Sequence, residues 1–180
     1  MPALETPIGL LKWKGRLTER TLVTMPDGSK RHWYSIISHT HGEALRWLAD
    51  QQNKAILVKA GRDQVDRALQ YLDELPDVEP GLLGSPWPVS SRPKLEDEAW
   101  RESVIVAVEI AELTATQQYL KRARVEYYVM NPGAIEPGKR ALANVYDDGS
   151  ELLIVDGHHR LAAWWILGVN LANVWMLHES

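Results

Sequence analysis

Five of the ten prolines fall between Pro76 and Pro93, in PDVEPGLLGSPWPVSSRP, together with Gly81 and Gly84. Proline lacks a backbone N–H and clashes with the preceding helical turn, so this stretch excludes a continuous helix and a central strand. The fold has to be assembled from what lies on either side. The chain therefore divides into an N-terminal lobe (1–75), a proline-rich connector (76–94) and a C-terminal domain (95–180), with no internal repeat.

In the lobe, LLKWKGRLTERTLVTM and SKRHWYSIIS flank Pro26-Asp27-Gly28, turn residues between β-branched and aromatic runs, which predicts a hairpin. Thr40 is a candidate N-cap for GEALRWLADQQ, where Ala44, Leu45, Trp47 and Leu48 form an apolar stripe. KAILVKAG reads as a short buried strand, and Arg62 to Leu75 as a helix with Val65, Leu69, Leu72 and Leu75 on one face. The expectation is a small α+β unit of order β-β-α-β-α.

The C-terminal domain is expected to open with an acidic helix start near Leu95–Arg101, followed by a strand over SVIVAVEIAEL. Thr114 to Gln117 then opens QQYLKRARVEYYVM, read as a helix carrying Tyr119, Leu120, Ala123 and Tyr127 toward the core. NPGAIEPG is a loop, RALANVYDD and SELLIVDG form a hairpin turned at Asp148-Gly149, HHRLAAWWILG is a helix ended by Gly168, and VNLANVWML is a last strand. The class is α+β in both parts.

Hydrophobic residues at 45% and charged residues at 24% support a packed core. The absence of cysteine removes disulfides, thiolate-ligated zinc, iron–sulfur clusters and thiol nucleophiles. No run nears the roughly 18 to 20 apolar residues of a membrane span, and MPALETPIGLLKWKG lacks the basic-then-apolar order of a signal peptide, so the expectation is a cytoplasmic protein with no membrane partner. The net charge of −4 is uneven: residues 1–95 hold 13 Lys+Arg against 11 Asp+Glu, and residues 96–180 hold 7 against 13. Neither half has the clustered positive charge of a non-specific nucleic-acid binder.

Chemistry concentrates in Leu152–Gly168, LLIVDGHHRLAAWWILG, where a buried strand runs through Asp156-Gly157 into a helix whose first turn carries His158, His159 and Arg160. The N–H groups of a helix start point outward, the helix dipole adds partial positive charge, and Arg160 supplies a forked donor, so the segment is a candidate anion site. Gly157 permits close backbone approach or a positive φ. Asp156 has three readings: a helix cap, a metal ligand sharing a phosphate, or a proton acceptor. His158 and His159 are adjacent and are expected to face different ways, with His159 the one favoured to enter a site. Lys121-Arg122-Ala123-Arg124 reads either as a phosphate contact or, more commonly, as a solvated helix face. His39-Thr40-His41 could hold a metal on a strand, although exposed loop histidines are the commoner case. The pair Trp164-Trp165 is expected to split, one ring entering the core and the other packing on the lobe or a partner, with Trp33, Trp47 and Trp87 as matching surface.

The segment DGHHR, in the order strand, helix, hairpin, motif helix and strand over about 104–177, resembles the ParB/sulfiredoxin-like superfamily, including its ParB-like nuclease domains. VAVEIAELTATQQYL is similar to that superfamily's opening strand and its Thr-Gln pair, and RALANVYDDGSELLIVDG to its central hairpin. The resemblance implies a pocket over the motif helix for a nucleotide, ATP or CTP with Mg²⁺, or for a phosphorylated small molecule. It places Gly157, His158, Arg160 and Gln117 on the phosphate, Asp156 and His159 in catalytic positions, and Asp156 on the metal. His158 stands where the sulfiredoxin branch has its cysteine, which excludes sulfinic-acid reduction. With the chain ending three residues after Leu177, no helix-turn-helix follows, and a partition clamp is not expected.

Two functions follow as expectations. One is a nuclease, NTPase or small-molecule kinase acting at the DGHHR helix. The other is a non-catalytic module of phage or mobile-element type that binds DNA or a protein through a tryptophan-rich surface.

Overall fold

The computed structural model describes residues 22–24, 30–32, 49–51, 53–54, 56–57, 59–134 and 142–179. Thr40, the His39/His41 pair, Trp33, Trp47 and the stripe at 44–48 lie outside the described residues. The fold is mixed α+β.

β1 (Leu22–Thr24) and β2 (Lys30–His32) pair antiparallel with Thr24 opposite Lys30, the pairing expected of a hairpin; Pro26-Asp27-Gly28 lies outside the described residues. Within KAILVKAG, expected as a strand, the described residues Lys54, Ile56 and Leu57 have helical backbone instead, as do Ala49, Asp50, Gln51 and Asn53 before them, and Lys59 lies in a turn. A short apolar run cannot by itself distinguish a strand from a buried helix. Here Ala49, Asn53, Ile56 and Leu57 recur at helical spacing and are buried. Asn53 anchors this segment: its Nδ2 donates to the carbonyl of Asn173 (3.0 Å), and the Asn173 N–H donates back to its Oδ1 (2.9 Å).

Helix α1 (Arg62–Glu74) follows the predicted span, with Ala68 and Leu72 buried. The proline-rich stretch then contributes β3 (Leu82–Gly84), paired antiparallel with β5 (Tyr119–Lys121) in a two-stranded sheet, where proline's missing donor is tolerated on either side of a short strand. A 3₁₀ helix (Asp97–Glu102) leads into β4 (Val104–Glu109), and a second (Ile110–Glu112) leaves it. Next come α2 (Arg122–Met130), β6 (Asn144–Asp147), β7 (Leu152–Asp156), α3 (His158–Ile166) and β8 (Leu171–His178). The main sheet has the order β4-β8-β6-β7; β6 runs parallel to β8, and the other pairings are antiparallel.

Turn chemistry is legible throughout this half. Asp148 Oδ1 accepts the N–H groups of Ser150 and Glu151, and Gly149 takes φ 91° to close the β6–β7 hairpin. Gly168 takes φ 95° and ends α3 with paired bonds from the Gly168 N–H to the Trp165 carbonyl and from the Val169 N–H to the Trp164 carbonyl.

α2 departs from expectation. It starts at Arg122 because residues 119–121 are taken by β5, and its buried residues are Val125, Tyr128 and Val129. Tyr119, Ala123 and Tyr127, expected in the core, are exposed, while Leu120 is buried from the strand. Trp164 is buried, and Trp165 stacks on Trp87 at 5.8 Å between ring centroids. One apolar cluster runs from Ile56 and Leu72 through Leu83 and Trp87 to Val174 and Met176.

Candidate functional site

The site is built where β7 ends. Asp156 is the last residue of that strand, and the N-cap of α3 is Gly157, with φ 104° and ψ 15° and no side-chain cap bond. Asp156 is therefore not the N-cap residue. Gly157 is required twice over. Its φ lies in the left-handed region, and a Cβ there would come within 2.7 Å of the Ala143 Cβ.

A cavity of about 240 Å³ opens over this junction. All six residues singled out by sequence line it: Gln117, Asp156, Gly157, His158, His159 and Arg160. Sequence reasoning missed Arg92, and Arg124 entered it only as one arm of an ambiguous basic run; both line the same cavity. Arg92 sits in the proline-rich stretch, where no periodicity or motif marks it. Arg122, in the same basic run as Arg124, serves the scaffold instead, pairing with Asp77 at 2.7 Å and donating to the carbonyls of Leu72 and Leu75 at the end of α1.

Both histidines line the cavity, contrary to the expectation that one would turn away. Each Nε2 accepts a backbone N–H: His158 from Thr116 (3.0 Å) and His159 from Lys121 (3.1 Å). The two rings thus hold the segment between Thr116 and β5 against α3. A nitrogen that accepts carries no proton, so each ring's remaining donor is its Nδ1. Burial, then the Arg92 charge, pushes the His158 pKa down from 6.5 to about 4, with Asp156 pulling the other way. At neutral pH the His158 ring is uncharged.

Three arginines face one carboxylate around this cavity, a local excess of positive charge in the more acidic half of the chain. Arg160 is 2% exposed. Together with the N–H groups of a helix start that have no intrahelical acceptor, this arrangement suits a small multivalent oxyanion. A larger cavity of about 600 Å³ lies elsewhere, lined by apolar residues such as Leu83, Val125, Trp165 and Ile166. It has none of this charge.

Among the described residues Trp87, Trp100 and Trp164 are buried, and Trp165 and Trp175 are half-buried. No helix of the described residues is long and apolar enough to cross a membrane. Comparison with protein-family models, curated proteins and solved structures finds no match to this chain.

Proposed function

We propose that this chain is a phosphate-binding protein of the ParB/sulfiredoxin-like kind, holding a nucleotide or a phosphorylated small molecule at the start of α3. The observation that carries the reading is convergence: Gln117 and Asp156 to Arg160, chosen from sequence, share one cavity with Arg92 and Arg124. The order β4, α2, β6–β7 hairpin, α3, β8 supports the same reading, since it follows the order on which the resemblance rests.

In this reading Arg124, Arg160 and the first turn of α3 hold the phosphate, Gly157 lets the backbone approach it, and Gln117 flanks it. Asp156 accepts a proton from an attacking hydroxyl or water, the step shared by phosphoryl transfer, NTP hydrolysis and nuclease cleavage. Among the described residues no group of three or more His, Asp or Glu converges. Asp156 is the residue that would hold a Mg²⁺ arriving with ATP or CTP, and the ion would there offset phosphate charge. His159 would act through Nδ1, its Nε2 being engaged by Lys121.

A thermal-shift panel of phosphate, pyrophosphate, ATP and CTP, with and without Mg²⁺, tests this. A ligand at about 100 times its Kd adds about 2.7 kcal/mol and raises the Tm by roughly 5–10 °C for a chain of this size. Arg124→Met with Arg160→Met is expected to abolish the shift. If no member of the panel moves the Tm, the reading is wrong.

One observation favours a non-catalytic version: both imidazoles commit their Nε2 to backbone. Asp156→Asn separates the two, since an enzyme loses turnover and keeps binding, whereas a binding module shows no turnover to lose.

A further inference from the structure

A second cavity, also of about 240 Å³, adjoins the first and shares Arg92, Val155 and Asp156 with it. Its other walls include Trp100, Asn144 and Asp97. Asp156 thus stands between two chambers of different character. The first is ringed by arginines. The second has Asp97 and Asp156 against Arg92, a balance that disfavours a second phosphate.

Asn144 sets this chamber apart. It is 5% exposed and lines the second chamber. The strand pairing shows why it points there. Asn144 on β6 is directly opposite Asp156 on β7, and the register shifts between Asn144 and Val145, a β-bulge. Residues directly opposite across a ladder project to the same face, and bulges re-aim side chains beside sites. Trp100, 8% exposed, supplies an apolar wall alongside.

We propose that the second chamber receives the uncharged part of the phosphorylated ligand, and that the Asn144 carboxamide reads it through a paired donor and acceptor. This rests on the phosphate reading of the first chamber. A carboxamide offers one acceptor and two donors and no charge, so it selects a neutral group that presents both functions, such as a nucleobase edge or adjacent hydroxyls. It rewards a phosphate ester over phosphate itself.

The test uses calorimetry on the full chain with phosphate, pyrophosphate, ribose 5-phosphate, AMP, CMP and phosphoserine. At least one ester is expected to bind about 10-fold or more tighter than inorganic phosphate. Asn144→Leu and Asn144→Ala, both uncharged, should each erase that advantage while leaving the pyrophosphate Kd unchanged, which also certifies that the variants fold. Preference for the nucleotides over ribose 5-phosphate identifies a base edge, and equal binding identifies the hydroxyls. Esters that bind no tighter than phosphate, or an advantage that survives both substitutions, overturn the role of the second chamber alone. If phosphate, pyrophosphate and every ester fail to bind, the phosphate reading falls and this inference falls with it.

Discussion

Gly157 is the residue on which the site turns. A left-handed φ costs a non-glycine residue about 1–3 kcal/mol, and the Ala143 side chain leaves no room for a Cβ. Gly157→Ala is expected to destabilise the fold by roughly 2–4 kcal/mol, read by urea denaturation. Adding Ala143→Gly should recover only the steric part, because the backbone strain stays. His158 gives a second prediction. Its folded pKa of about 4 lies below the ordinary 6.5, so between these values the unfolded chain binds a proton that the folded chain does not. The stability conferred by the neutral ring is complete above about pH 6.5 and is lost as the pH falls toward 4, on the order of 3 kcal/mol in all. His158→Gln, which retains an acceptor for the Thr116 N–H, should flatten that part of the pH profile of the urea midpoint.

At the scale of elements, Arg122 shows how a residue of a basic run can serve the fold rather than a ligand. It leaves β5 at the start of α2 and bonds the carbonyls of Leu72 and Leu75, tying α2 to the end of α1. Arg122→Met is expected to lower stability by about 1–3 kcal/mol, because charged hydrogen bonds to carbonyls at a helix end are the larger contribution. Asp77→Asn should cost far less, since the ion pair it removes is partly exposed. Comparison of the two melting curves decides between these contributions. Elements whose signals are local are readable in the sequence: α1 from its apolar period, the Asp148-Gly149 hairpin, and the Gly168 end of α3. The start of α2 is not, because pairing with β3, far away in sequence, turns residues 119–121 into a strand and changes which tyrosines face inward.

At the scale of the molecule, the proline-rich stretch belongs to the core that the helices share. Trp87 is buried, its indole N–H donates to the Ile110 carbonyl at 2.8 Å, and its ring stacks on Trp165. Trp87→Ala is expected to cost about 3–5 kcal/mol and to shift one cooperative transition rather than release a separate early one, as followed by far-UV circular dichroism and tryptophan fluorescence together. The sequence by itself determined the strand-to-helix junction and the five residues Asp156 to Arg160 with their chemistry, because turn residues, caps and apolar period act between near neighbours. The tertiary structure alone decided that Arg92 and Arg124 join them, that both imidazoles accept backbone N–H groups, and that Asn144 stands opposite Asp156. Those facts depend on which distant segments meet when the core closes, and packing, unlike local propensity, leaves no mark in a window of sequence.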